Sequence, residues 1–252
     1  MASFAGAIDV NMGVLRDAGV AAADLLYPRT CCGCGNPVRA GMRYLCWECR
    51  TLVQFMQSPM CGCCGETVSG RVDHAFVCRH CEEVPRSYDR ARSAVRHEGP
   101  PREAIHLFKY SGGTWMAGDL ANLLAGCVDT HYDVESIELV IPVPLHPSRR
   151  RKRGYNQAAL LASLLARRLD KSFKIAVLMR IRNTDTQTRL TAARRLNNVR
   201  GAFDVLRPKA IQGKHILLVD DVMTSGATTN ECARVLKEAG ASTVEVVTVA
   251  RG

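Results

Sequence analysis

Residues 216–229 read Ile-Leu-Leu-Val-Asp-Asp-Val-Met-Thr-Ser-Gly-Ala-Thr-Thr. The four apolar residues from Ile216 to Val219 have the character of a strand buried on both faces of a sheet, since no polar residue interrupts them. Two adjacent carboxylates, Asp220 and Asp221, stand where that strand is expected to end, and a loop of hydroxyls and glycine follows. From Thr229 to Ala239, Cys232, Val235, Leu236 and Ala239 fall on one helical face, with Gly240 as the stop. Such a loop aims consecutive backbone N–H groups and the positive end of a helix at one point, which suits a phosphate. The carboxylates beside it suit sugar hydroxyls, or a metal ion carried in by a second phosphate. Phosphate and vicinal diol together describe a ribose 5-phosphate. The competing reading is a plain strand–turn–helix whose Asp and Thr cap the helix, but a cap employs one polar residue, not two acids and four small ones.

The surrounding chain has the same alternation. Strands are expected at Ala91–Arg96, Leu139–Val143, Ala176–Ile181, Ala202–Leu206 and Thr243–Ala250. Helices are expected at Glu103–Tyr110, Trp115–Cys127, Tyr155–Leu169 and Ala192–Asn198, with Ser111-Gly112-Gly113 as a break. Strands separated by helices imply an α/β fold, a mainly parallel sheet with helices on both faces. Ligands on such sheets sit at the carboxyl ends of strands, which places Pro142, Val143, Pro144, Leu145 and His146 opposite the acidic pair. Tyr88 opens this domain, expected over residues 88–252, and Glu82 to Tyr88 reads as the linker before it.

Residues 1–87 differ. Eight of the twelve cysteines form four Cys-x-x-Cys pairs: Cys31/Cys34, Cys46/Cys49, Cys61/Cys64 and Cys78/Cys81. In a reducing compartment such pairs favour metal over disulfide. Two closed tetrahedral zinc sites follow, Cys31, Cys34, Cys46 and Cys49 forming one, Cys61, Cys64, Cys78 and Cys81 the other, both structural. A cross-braced pairing of the first and third pairs stays open, and thioredoxin-like redox pairs are the rival reading, although a redox protein needs one pair and not four. Gly35 and Gly65 each follow the second cysteine of a pair, where a turn can point amides at thiolates. Cys32, Cys63, His74 and His80 lie near enough to substitute as ligands, while Cys127 and Cys232 fall in apolar helical patterns. Residues 1–27 are apolar-rich but broken by Asp9, Arg16, Asp17 and Asp24, which describes amphipathic helix and not a secretory signal.

No apolar run reaches the roughly 18 residues of a membrane span, so a cytoplasmic protein is expected, recruited to the inner face of the membrane only through partners. The formal charge is +10; eight thiolates and two zinc ions would reduce it to about +6. Much of the excess lies in residues 147–200, above all Arg149, Arg150, Arg151, Lys152 and Arg153. Localised charge of this kind attracts pyrophosphate or nucleic acid; a solvated face without a partner is the alternative. Aromatic residues within the segment are limited to Tyr155 and Phe173, few for a stacking platform.

The 216–229 run resembles the phosphoribosyl-pyrophosphate signature of type I phosphoribosyltransferases, and no Lys follows its glycine as a Walker loop requires. Further landmarks sharpen the resemblance: the cysteine pairs, Leu107-Phe108-Lys109-Tyr110, Pro142-Val143-Pro144, Arg153-Gly154-Tyr155-Asn156-Gln157, then Arg182, Thr184, Gln187, Leu190, Arg195, Asn198 and Gly201-Ala202-Phe203. Together they are similar to the ComF family of competence proteins over nearly the whole chain from about Leu25. The resemblance implies a double zinc ribbon fused to a phosphoribosyltransferase-like domain, with a role in DNA uptake during natural transformation. It implies that Asp220 and Asp221 hold ribose hydroxyls and that Met223, Thr224, Ser225, Gly226, Ala227 and Thr228 cradle the 5-phosphate. Lys109, Arg153 and Arg189 are placed to neutralise pyrophosphate with magnesium, Gln187 and Arg189 lying in a polar loop suited to closing over a ligand. Lys109, Arg189 and the two acids form the catalytic set if transfer occurs. Asn156 and Gln157 either cap a helix or touch substrate. Expected partners are phosphoribosyl pyrophosphate, single-stranded DNA and a DNA-uptake helicase or translocase. The alternative is a magnesium-dependent phosphoribosyltransferase of nucleotide metabolism.

Overall fold

The computed structural model describes residues 29–38, 44–68, 70, 72, 76–184 and 198–252. The expected amino-terminal helix, His74, the helix at 192–198 (with Arg195) apart from its last residue, and the part of the loop carrying Gln187, Arg189 and Leu190 lie outside them. Two short helices, α1 (Trp47–Thr51) and α2 (Arg79–Glu83), belong to the cysteine-rich segment. The body follows as β1 (Arg90–Arg96), α3 (Gly99–Tyr110), α4 (Ala117–His131), β2 (Leu139–Pro142), α5 (Pro147–Arg153), α6 (Gln157–Leu169), β3 (Ser172–Phe173), β4 (Leu178–Arg180), β5 (Phe203–Val205), β6 (His215–Met223), α7 (Ala227–Glu238) and β7 (Thr243–Arg251).

Five strands form one parallel sheet in the order β1-β7-β6-β2-β3. β7 is buried at every position after its first, as a strand covered on both faces must be. Period-2 alternation divides β6 between two cores. Leu217 and Val219 face α3, α4 and α6 together with Val140, Val247 and Val249. Ile216 and Leu218 face α7, with Val244, Val246, Leu178 and Phe203. The fold is the expected α/β class.

Several expectations need correction. β6 does not stop at Val219: Asp220 and Asp221 lie inside it, because pairing with β7 continues from Asp220 opposite Thr248 to Met223 opposite Arg251. Ladder hydrogen bonds here outweigh the poor strand propensity of aspartate. α3 begins at Gly99, since Pro100 and Pro101 at its start cost no intrahelical hydrogen bond. β4 and β5 pair antiparallel with each other, outside the main sheet. The run Pro147–Arg153 is a helix, begun by the His146 cap and Pro147 and stopped at Gly154.

The outer edge of β1 is covered. Arg96 N donates to Gln54 O at 2.8 Å, Met56 N to Ala94 O at 3.0 Å, and Phe55 bridges Val95 antiparallel. Among the described residues no helix is long and apolar enough to cross a membrane.

Candidate functional site

The eight paired cysteines form two sets in chain order, Cys31, Cys34, Cys46 and Cys49, then Cys61, Cys64, Cys78 and Cys81. The pairing is sequential, so the cross-braced alternative does not form. Four sulfurs about 2.3 Å from a central zinc stand about 3.8 Å apart; Cys34 and Cys46 Sγ are 3.6 Å apart, Cys64 and Cys78 Sγ 3.7 Å. Backbone amides serve the thiolates as a zinc site requires: Gly33 and Cys46 donate to Cys31 Sγ, Cys64 and Cys78 to Cys61 Sγ. Burial alone would raise the Cys31 thiol, yet the Cys46, Cys34 and Gly33 amides outweigh it and bring it down to about 6. Gly35 and Gly65, both at positive φ, make the turn that allows this, their own amides closing it on Cys31 O and Cys61 O. Cys32, Cys63 and His80 belong to neither set.

The second chemical centre lies at the carboxyl ends of β2 and β6. A cavity of about 210 Å³ is lined by Asp220 and Asp221 from β6, Lys109 and Tyr110 from the end of α3, Val143, Pro144 and Leu145 after β2, and Arg149 and Arg153 from α5. Asn156, Gln157, Ala158, Arg180 and Thr228 complete the wall. Lys109 Nζ is 3.0 Å from Asp221 Oδ1. Asp220 Oδ1 accepts from the Asp221 amide at 2.8 Å, but burial and the Asp221 carboxylate push its carboxyl up to about 7. Four cations thus face two acids, one of them short of positive charge.

Beside this cavity, a pocket of about 40 Å³ sits against Thr224, Gly226, Ala227, Thr228 and Thr229 and shares Asp220. Gly226 is the amino-terminal cap of α7 with φ +73°, a conformation glycine adopts without strain. The first turn of α7 has amides with no helical carbonyl to accept them, and they open on this pocket. Thr229 Oγ1 donates to Gly226 O at 3.0 Å and holds the turn. Ser225 Oγ is buried with no partner. Met223 is buried, its sulfur 3.5 Å from the Thr229 Oγ1.

Not every expected residue converges. Pro142 ends β2, and His146 caps α5 by accepting from Ser148 N at 3.3 Å. Arg149 donates to Thr184 O at 2.6 Å and Arg153 to Gln157 Oε1 at 2.7 Å, both on the cavity wall; Arg150 and Arg151 face outward. Asn156 is a cap: its Oδ1 accepts from Ala158 N, and its Nδ2 donates to Val143 O at 3.1 Å, tying α6 to the loop after β2. Gln157 lines the cavity with Nε2 unpaired. Arg180, which sequence reasoning did not single out, is 5% exposed, lies 5.3 Å over the Phe203 ring and has an unpartnered Nε. Its only signal was a charge on the apolar face of a three-residue strand.

Two family models match the chain: a double zinc ribbon domain over residues 22–82 and a phosphoribosyl transferase domain over residues 156–252. Competence protein F of Haemophilus influenzae is 32% identical over 226 residues, covering 88% of this chain and 96% of that protein. The DNA utilization protein YhgH of Salmonella typhimurium is 32% identical, covering 80% and 94%. Among solved structures, the glutamine phosphoribosylpyrophosphate amidotransferase of B. subtilis matches at 20% identity and a TM-score of 0.38, over 54% of this chain and 26% of that one. With a double zinc ribbon ahead of a phosphoribosyltransferase-type domain, and such identity over most of its length, the chain belongs to the ComF family of competence proteins.

Proposed function

We propose that the cavity binds phosphoribosyl pyrophosphate or a related ribose 5-phosphate, and that the protein uses this site while handling single-stranded DNA. One observation carries the reading: an acid pair, a helix-end phosphate pocket and Lys109, Arg149, Arg153 and Arg180 surround one cavity. The 5-phosphate would sit on the 224–228 turn, the ribose hydroxyls on Asp220 and Asp221, and the pyrophosphate against Lys109, Arg149 and Arg153. Val143, Pro144 and Leu145 would wall the pyrophosphate side. Magnesium fits beside the under-neutralised Asp220, where it would offset pyrophosphate charge. The relatives' roles in competence and DNA utilization, with the outward Arg150 and Arg151, support the DNA side. The exposed Trp47 and Leu52 beside the first ribbon support docking of a helicase or translocase.

A second reading is catalytic. Lys109, Arg149 and Arg153 stand where charge would accumulate on a departing pyrophosphate, and such electrostatic stabilisation is the main requirement of pentosyl transfer. Pyrophosphate release with and without single-stranded DNA separates the two readings.

Calorimetry with phosphoribosyl pyrophosphate and magnesium tests the assignment. Asp220→Asn with Asp221→Asn is expected to weaken binding by at least about 100-fold, because two charged hydrogen-bond partners vanish, while the chain stays folded; unaltered affinity refutes it. The pH dependence has a definite sign. Asp220 in the folded state titrates near 7, above the roughly 4 of an unfolded aspartate. Ligand-free protein therefore gains stability as pH falls from 7 towards 4, and the cost of the ionised carboxylate is fully present above 7. Ligand affinity should run the other way, falling below pH 7. Chemical denaturation across this range should show the slope in wild type and its loss in Asp220→Asn.

A further inference from the structure

The wall of the phosphoribosyl cavity carries a second groove of about 330 Å³, lined by Lys109, Tyr110, Gly112, Arg149, Lys152 and Arg153. Its lining holds four cations and no acid, whereas the cavity proper holds two. Tyr110 is the last residue of α3 and is 66% exposed. The Arg153 guanidinium lies 5.0 Å from the centre of its ring, and the exposed His106 ring stands 4.9 Å away at 47°. Tyr110 thus already meets a cation at its ring and a tilted ring beside it, next to a strip of cationic side chains. A ring this exposed can exchange one neighbour for another flat group at little cost.

We propose that this groove is a stacking subsite for single-stranded DNA, one base lying against Tyr110 while flanking phosphodiesters lie on Lys152, Arg149 and Arg153. The inference rests on the DNA reading above and locates it. Aromatic face plus cationic track is the combination that holds single strands without sequence preference. A duplex, with its bases already stacked, offers Tyr110 nothing to hold. The basic segment's own aromatics are occupied, Tyr155 packing on Phe108 with its hydroxyl on Phe108 O and Phe173 packing against the core; α3 supplies Tyr110 from earlier in the chain.

Fluorescence anisotropy of a labelled oligothymidylate, with the full zinc-loaded chain, tests the proposal. Tyr110→Ala is expected to weaken binding about 5- to 150-fold, the range for losing one base stack, with the salt slope unchanged. Tyr110→Phe should stay within about twofold of wild type. Lys152→Ala should instead lower the salt slope by about one. Circular dichroism checks that each variant folds. Wild-type binding that ignores Tyr110→Ala, equal loss in the Ala and Phe variants, or a duplex of the same length bound as tightly would each overturn the groove while leaving DNA binding intact. Failure of the wild type to bind any oligonucleotide would remove both. Calorimetry with phosphoribosyl pyrophosphate reports on the cavity separately.

Discussion

The two ribbons share a motif and a sequential pairing, yet they stand in different relation to the sheet. In the first, Cys31, Cys46 and Cys49 form a small cluster of their own with Val38 and Leu45. It reaches the body through residues that bind no metal, Cys32, Tyr44 and Val53. In the second, the ligands Cys61, Cys64 and Cys81 are members of a main core, packed with Tyr88, Ala91 and the α7 face of the sheet. Arg251 at the end of β7 fastens this ribbon, donating to Glu66 Oε2 at 2.8 Å and to Cys64 O at 3.0 Å, with Nη2 3.6 Å from Cys64 Sγ. A guanidinium beside a four-thiolate zinc centre offsets its net negative charge. One sequence motif has thus made a module whose ligands stand apart from the main core and a piece of domain interior.

The strongest test replaces a ligand in each ribbon. Structural zinc contributes on the order of 10 kcal/mol, comparable to the whole stability of a domain. Cys64→Ser should therefore abolish the cooperative melt of the entire chain. Cys34→Ser should halve the zinc content and leave the main melt near its wild-type temperature. Equal collapse in both variants would erase the distinction. Arg251→Gln comes next: removing a buried cation bonded to Glu66 and Cys64 should cost about 2–4 kcal/mol, read from chemical denaturation, with both zinc ions retained. The matched glycines provide the finest comparison. Gly35 and Gly65 have φ of +75° and +71°, but a Cβ at Gly65 would stand 2.7 Å from Ala91 O, while at Gly35 nothing lies within 4 Å. Gly35→Ala should cost about 1 kcal/mol from backbone strain alone. Gly65→Ala should cost roughly twice that or more, because the ribbon must also retreat from β1.

The sequence alone could not separate the ribbons. Spacing reveals which cysteines share a metal type, but the surface a ribbon leans on depends on Arg251, which is 187 residues from Cys64. The parallel sheet was legible because β6 opens on the apolar run Ile216–Val219 and β7 is dominated by valine, and the 224–228 turn stood out for its run of small residues. The length of β6 was not, since adjacent aspartates read as an ending unless the pairing strand is known. α5 could have been found: a capping His146, Pro147 and a closing Gly154 are helix signals that the density of arginine obscured. Arg180 escaped altogether, and Tyr110 was marked only as part of the 107–110 landmark. Arg180 ends a three-residue strand and Tyr110 a helix, and what each does arises only where β4, α3 and α5 meet around the cavity.

The cover that residues 54–56 lay along β1 has a consequence for life at high local concentration. A bare outer strand is a template on which other chains can grow. Here the margin is occupied by the chain's own segment between the two metal knots, tethered at both ends. Metal uptake thereby closes the sheet to strangers, and a protein that lost only the first ribbon's zinc would loosen one anchor of that guard while the second ribbon still held the fold.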